Sequence, residues 1–198
     1  MKRPWWAYWI SFVVFLSFIV LAKFIGVSDY INDSIFMLVL LTILMLMYHS
    51  FRLKPWIYLS ITFAFILHNM GVFGFYNISP ILIQWDHVTH FVGIAVATVI
   101  IYNYFEESGF LRNKNERFVM LLFIFLAASG VGVLVEFIEF MGYLYYGDGL
   151  GVFGHGVGDI NTEWIDSEWF NTIFDLFYNS LGSLVAIIFL RLGLKRNN

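Results

Sequence analysis

The sequence contains no cysteine, only three prolines, and few charges: 13% of its 198 residues are Asp, Glu, Lys or Arg. Without cysteine there is no disulfide, no thiolate metal site and no sulfur nucleophile. Soluble domains carry about 25% charged residues. A chain this poor in charge lacks the polar surface that a globular core needs. The net charge of −3 and pI near 5.9 give none of the basic surplus of a nucleic-acid binder, so no nucleic-acid partner is expected. The patterns G-x-S-x-G and H-E-x-x-H are missing, as is a zinc-deaminase signature, so no familiar hydrolase class is matched.

What is present in quantity is apolar. Hydrophobic residues make up 60% of the chain, aromatics 21%, and the mean hydropathy is +0.78. Six apolar stretches are long enough to cross about 30 Å of hydrocarbon at about 1.5 Å per helical residue. They run approximately Trp5–Val27, Ser34–Phe51, Trp56–Tyr76, His87–Phe105, Phe118–Tyr146 and Asn171–Leu190. Breakers separate them: Ser28-Asp29, Lys54-Pro55, Ser79-Pro80, Ser108-Gly109 and a glycine-rich stretch from Gly147 to Gly158. The fifth is longer than a bilayer requires and is expected to tilt or to emerge on one side. No internal repeat is visible. The expected fold is all-α: a polytopic helical bundle of about six transmembrane helices, one integral membrane domain over residues 1–198. Its first partner is the lipid bilayer, and its expected location is the cell (inner or plasma) membrane.

Met1-Lys2-Arg3 ahead of the first stretch resembles the start of a signal peptide. The apolar run that follows exceeds the usual ~7–15 residues and has no A-x-A-like site, so an uncleaved first helix is expected. Basic residues then set an orientation. Lys2, Arg3, Arg52, Lys54, Arg112, Lys114, Arg117, Arg191, Lys195 and Arg196 fall on one side, which is ten of the eleven Lys and Arg. Lys23 is the exception. The opposite loops hold Asp29, Asp33, Asp148, Asp159, Glu163, Asp166 and Glu168 without a Lys or Arg. The positive-inside rule makes both termini cytoplasmic.

That topology gathers ionisable residues at one depth. QWDHVTHF opens the fourth span, with Asp86 at its outer mouth and His90 one turn deeper. Glu136 and Glu139 fall in the outer part of span five, and Asp175 and Asn179 in the first turns of span six. His68 lies between the midplane and the outer surface of span three. Asp86/His90 and Asp175/Asn179 are i,i+4 pairs and Glu136/Glu139 is an i,i+3 pair, so each occupies one helix face. Adjacent residues point apart, which places Asp86 and His90 inward and His87 at the rim. Four carboxylates (Asp86, Glu136, Glu139, Asp175) cannot all ionise in a low dielectric without compensation. A divalent cation, shared protons, or a hydrogen-bonded network around a charged His90 would each supply it.

Each piece alone has a plainer reading. His68 is an ordinary core histidine and Glu136 a hydrogen-bond partner within the bundle. The aromatics form lipid-facing and interfacial belts. Asn179-Ser180 with Gly182, and Ala127 to Gly132, mark close helix packing. Asp159, Glu163, Asp166 and Glu168 fit no EF-hand spacing and read as a solvated loop. The constellation is harder to dismiss than its members.

WDHVTHFVGIAV, VEFIEFMGYLYYGDGLGVFG with GDI, and FNTIFDLFYNSLGS resemble the YjdF-like family of uncharacterised multi-pass inner-membrane proteins. The shared pattern is D-R-x-x-H-F, E-x-x-E-W, a glycine-rich loop ending in G-D, and D-x-x-x-N/A-x-x-G. The likeness covers about Ile66 to Ala186 and implies functional weight for His68, Asp86, His90, Glu136, Glu139, Asp159, Asp175 and Asn179. His87 stands where many relatives have Arg, which exchanges a fixed positive charge for a titratable one. Phe140 replaces a common Trp, and NTEWIDSEWF lengthens the outer loop. A fainter likeness to VanZ-like membrane proteins lies in D-x-x-x-H-F and D-x-x-x-N-x-x-G. Neither family supplies an established reaction.

Three functions follow. In a metal-dependent membrane enzyme, His90, Glu136, Glu139 and Asp175 hold a divalent ion and Asp86 positions or deprotonates a water. His68, His87, Asp159 and Asn179 complete the polar surroundings. The substrate would be membrane-associated, and a phosphoester is disfavoured because the outer half has no Arg or Lys clamp. Level with this stands a non-catalytic membrane subunit with a structural or ligand-binding polar network. A proton- or cation-coupled carrier ranks third, for want of an inverted repeat. The orientation is directly checkable. A reporter fused after Asn198 is expected on the cytoplasmic side and one inserted at Gly151 on the opposite side; the reverse pattern would invert the topology.

Overall fold

The computed structural model describes residues 3–26, 31–76, 78–146 and 167–196. Within them the regular structure is helical: α1 Trp5–Phe24, α2 Ile31–Leu46, α3 Pro55–Met70, a short π-helix Gly71–Phe75, α4 Trp85–Glu107, α5 Arg117–Tyr146 and α6 Ser167–Arg196. Five segments are long and apolar enough to cross a membrane: Trp5–Phe24, Pro55–Phe75, Trp85–Glu107, Arg117–Gly142 and Phe170–Leu192. The sixth, α2, has 16 residues, about 24 Å of helix. The second span was expected over 34–51. Its helix instead starts earlier and ends earlier, and residues 47–52 form turns. Arg3 closes that short helix by donating from Nη2 to the carbonyl of Leu46 at 3.0 Å.

The helices form two packed groups. In the first, Ala7 and Phe15 of α1, Met37, Leu41 and Met45 of α2, and Ile57, Tyr58 and Ile61 of α3 share a buried core. Apolar packing in lipid lacks a strong hydrophobic drive, so polar pairs between helices matter there. Ser11 and Thr62 join α1 to α3 at 2.7 Å, Tyr8 and Thr42 join α1 to α2 at 3.2 Å, and buried Tyr58 donates to the Leu41 carbonyl at 3.1 Å. In the second group, Tyr102 of α4, Leu121 and Ile124 of α5 and Ile187 of α6 form a core near the basic end, with Leu111 from the connecting turn. The outward faces carry exposed Phe118, Leu122, Leu126, Leu134 and Phe137 on α5 and Phe177, Leu184 and Phe189 on α6. These are the surfaces that meet lipid chains.

Tyr and Trp are not all at that surface. Trp85 is buried, donates from Nε1 to the Leu67 carbonyl at 2.9 Å and meets Phe75 edge-on at 4.8 Å between centroids. It therefore anchors the start of α4 to α3. At the basic end, the Arg52 guanidinium donates to the Glu107 carbonyl at 2.5 Å, and the Arg52 carbonyl accepts from Asn103 at 2.7 Å. Lys54 pairs with Glu107 at 2.8 Å, an exposed bridge of small energetic value.

The positioning of the polar residues depends on how α4 and α6 approach. They run in the same direction and share a stripe of His87, His90, Ile94 and Thr98 against Asp175, Asn179, Gly182 and Ser183. A Cβ at Gly182 would collide with the Phe91 carbonyl oxygen, part of a backbone that cannot swing aside. Thr98 donates to Ser183 at 3.0 Å below that crossing. Gly182→Ala is expected to force the two backbones apart at a cost of roughly 1–3 kcal/mol. A lowered thermal midpoint in detergent would register this, and an unchanged midpoint would contradict the close approach.

Candidate functional site

Above the Gly182 crossing the α4–α6 stripe turns from small and apolar to ionisable. Asp175 is completely buried and Asn179 is 1% exposed. His87 Nδ1 lies 2.9 Å from Asp175 Oδ1, and the His87 ring stacks on Tyr178 at 4.7 Å with 12° between planes. One turn deeper, His90 Nδ1 is 3.3 Å from Asn179 Oδ1. His87 was expected at the rim, with only Asp86 and His90 inward. It is in fact buried and directed at α6. The physical reason is that a second helix, not only a central channel, flanks α4, so residues three apart, His87 and His90, can share the α6-facing side.

His90 is the hub. Its Nε2 lies 3.6 Å from Asp86 Oδ1, one turn earlier on α4, and 3.6 Å from Glu139 Oε1 of α5. Its Nδ1 lies 3.5 Å from Glu136 Oε1. Acids from α4 and α5 therefore surround one imidazole, and α6 adds the amide of Asn179. Helix α5 comes close because Gly132, one turn before Glu136, leaves space for Asn179; a Cβ there would fall 2.7 Å from Asn179 Nδ2. Donor atoms of Asp86, His87 and Asp175 lie within 4.8 Å of one another, and so do those of His90, Glu136 and Asp175. Imidazole with carboxylates is a donor set suited to Zn²⁺, Mn²⁺ or Fe²⁺. The site is thus able to hold a cation, and Asn179 fixes the orientation of the His90 ring in the way outer partners of metal-bound histidines do.

His68 stands slightly apart. Its Nδ1 is 2.8 Å from the Tyr76 hydroxyl, and its Nε2 is 3.9 Å from Asp33 Oδ1. Asp33 was expected in an outer loop, but it lies in the first turn of α2 and is 2% exposed. Next to it, Ser34 donates to Asn69 at 2.6 Å. The backbone after His68 is adapted to this cluster: the Tyr76 ring packs where a Gly71 side chain would sit, and Gly74 adopts φ +132. Only glycine accepts that conformation readily. Asp159 lies outside the described residues.

The sequence reading therefore named the members of the α4–α5–α6 cluster but missed Asp33, Tyr76 and Tyr178. Asp33 carried a usable signal, because it precedes an apolar run just as Asp86 does. Tyr178 carried none, since a tyrosine beside Phe177 in an apolar span reads as a belt residue until its neighbour is known.

Helices of this length and exposure define a polytopic helical membrane protein with an acidic–histidine cluster toward one end. The family described as "Predicted membrane protein (DUF2238)" matches residues 4–196. The chain belongs to that family, the YjdF-like group that its motifs resemble. The match extends to the first two helices, where the motif likeness was poor; the VanZ-like resemblance finds no counterpart in the comparisons. No curated protein and no solved structure matches the chain.

The His87–Asp175 contact is open to a direct measurement. His87→Phe keeps a ring against Tyr178 but removes one polar partner of a buried carboxyl. A loss of roughly 1.5–3 kcal/mol is expected, read as a lower unfolding midpoint in detergent. Asp175→Asn, which retains a hydrogen-bonding group, should cost less.

Proposed function

We propose that the α4–α5–α6 cluster is a divalent-cation site and that the protein is a metal-dependent enzyme acting on a membrane-associated substrate. The observation that carries this reading is the convergence of His90, Glu136 and Asp175 from three helices within 4.8 Å, in a chain where ten of the eleven Lys and Arg fall in the other set of loops. Carboxylates gathered in a low-dielectric interior repel one another, and a cation offsets that repulsion directly. Glu139, 3.6 Å from His90 Nε2, completes the donor set. Asp86, at the first turn of α4 and partly accessible, takes the role of positioning or deprotonating a water. A bound cation lowers the pKa of such a water and polarises a substrate oxygen. Five spanning-length helices with lipid-facing sides make an amphipathic or lipid-linked molecule the natural substrate.

A second reading is supported by the His87–Asp175 and His90–Asn179 contacts, at 2.9 and 3.3 Å, which tie α4 to α6 without any ligand. On that reading the cluster is a structural network of a non-catalytic membrane subunit. Metal analysis of the detergent-purified chain separates the two. Bound Zn²⁺ or Mn²⁺ is expected in the parent and strongly reduced in Glu136→Gln and Asp175→Asn. A parent that binds neither ion, with both variants still folded, would leave the structural network as the better account.

A further inference from the structure

We infer, building on the cation-binding reading, that the cluster is a two-cation centre in which Asp175 bridges the ions. One ion would be held by Asp86, His87 and Asp175, the other by His90, Glu136 and Asp175. Each group satisfies the same spacing, with its donor atoms within 4.8 Å, and Asp175 is the one residue common to both. A carboxylate has two oxygens and can place one toward each ion, at the separation of about 3.5–4 Å typical of paired metal centres. Asp175 is suited to this place: it is wholly buried on α6, between the His87 and His90 sides of α4. The two histidines are i,i+3 on one helix, so each imidazole serves a different half.

Charge balance favours two ions over one. Asp86, Glu136, Glu139 and Asp175 carry four negative charges when ionised, and the sequence puts ten of its eleven Lys and Arg at the other end of the bundle. One divalent ion leaves half of that charge uncompensated in a low dielectric, whereas two neutralise it. Asn179 is an independent indication of a bound ligand. It is 1% exposed, its Oδ1 is engaged at His90, and its amide nitrogen has no acceptor among the described residues. A buried N–H donor of this kind calls for an acceptor oxygen, such as a water or hydroxide on the neighbouring ion. With two ions present, Asp86 acts as a ligand of the first ion and not as a base toward the water.

The full chain in detergent, dialysed against MnCl₂ and freed of excess metal, provides the test. About two Mn²⁺ per chain are expected, with the exchange-coupled electron paramagnetic resonance signal of a bridged pair. His87→Ala and Glu136→Gln are each expected to reduce the ratio to about one and abolish the coupling. Parent protein alone decides the matter if a variant does not fold. A parent ratio of one, or of two without coupling, would overturn the bridged pair and leave the single-cation reading standing. A ratio of zero for both Mn²⁺ and Zn²⁺ would remove both readings together.

Discussion

A carboxyl group in a membrane helix, fully shielded from water, has to be met by another polar group, and Asp175 is met by His87 at 2.9 Å. Much of the remaining architecture serves that contact. α4 and α6 must lie close enough for short side chains to touch, which requires Gly182 under the Phe91 carbonyl. The stack of His87 on Tyr178 holds the imidazole in place. Small and hydroxylic residues below, Thr98 and Ser183, keep the two helices together where no charge is present. Separated helices would leave a buried polar group unmatched, at a cost of several kcal/mol in hydrocarbon.

The other helices are arranged around this pair with distinct tasks. α5 adds Glu136 and Glu139 to the His90 side, and Gly132 lets it approach Asn179. The α1–α3 group has its own hydroxyl contacts and apolar core, and it contributes Asp33 and His68 near the same end. Trp85 joins the two groups by bonding to α3 at the point where α4 begins. The opposite end is held by Arg52, Asn103, Lys54 and Glu107, which involve backbone carbonyls and an exposed pair. Polar chemistry is thus divided along the bundle: bases that bond to backbone carbonyls and an exposed acid at one end, and buried acids with histidines at the other. Such a division fits a cation better than an anion as the natural ligand of the acidic end.

Composition and hydropathy were enough to identify an all-helical membrane chain, because the requirement for apolar length is written residue by residue. Alternation of the loops, read with the charge bias, placed Asp86, His90, Glu136, Glu139, Asp175 and Asn179 in one depth band, and the structure brings these six together. Helical spacing identified which of them share a face within a helix. It gave no rotation of one helix relative to another, which is why His87 was put at the rim although it packs inward. The same limit left Asp33 outside the site in the sequence reading: its position before an apolar run was legible, but its approach to His68, 35 residues away, was not.

What the sequence by itself determined was the class of protein, the approximate helices and the shared level of Asp86, His90, Glu136, Glu139, Asp175 and Asn179, since these follow from local composition and from distance along a helix axis. Only the tertiary structure decided the pairings: His87 with Asp175, His90 with Asn179 and the two glutamates, His68 with Tyr76. Pairing depends on helix rotation and on close approach at Gly132 and Gly182, and these are set by packing among several helices at once.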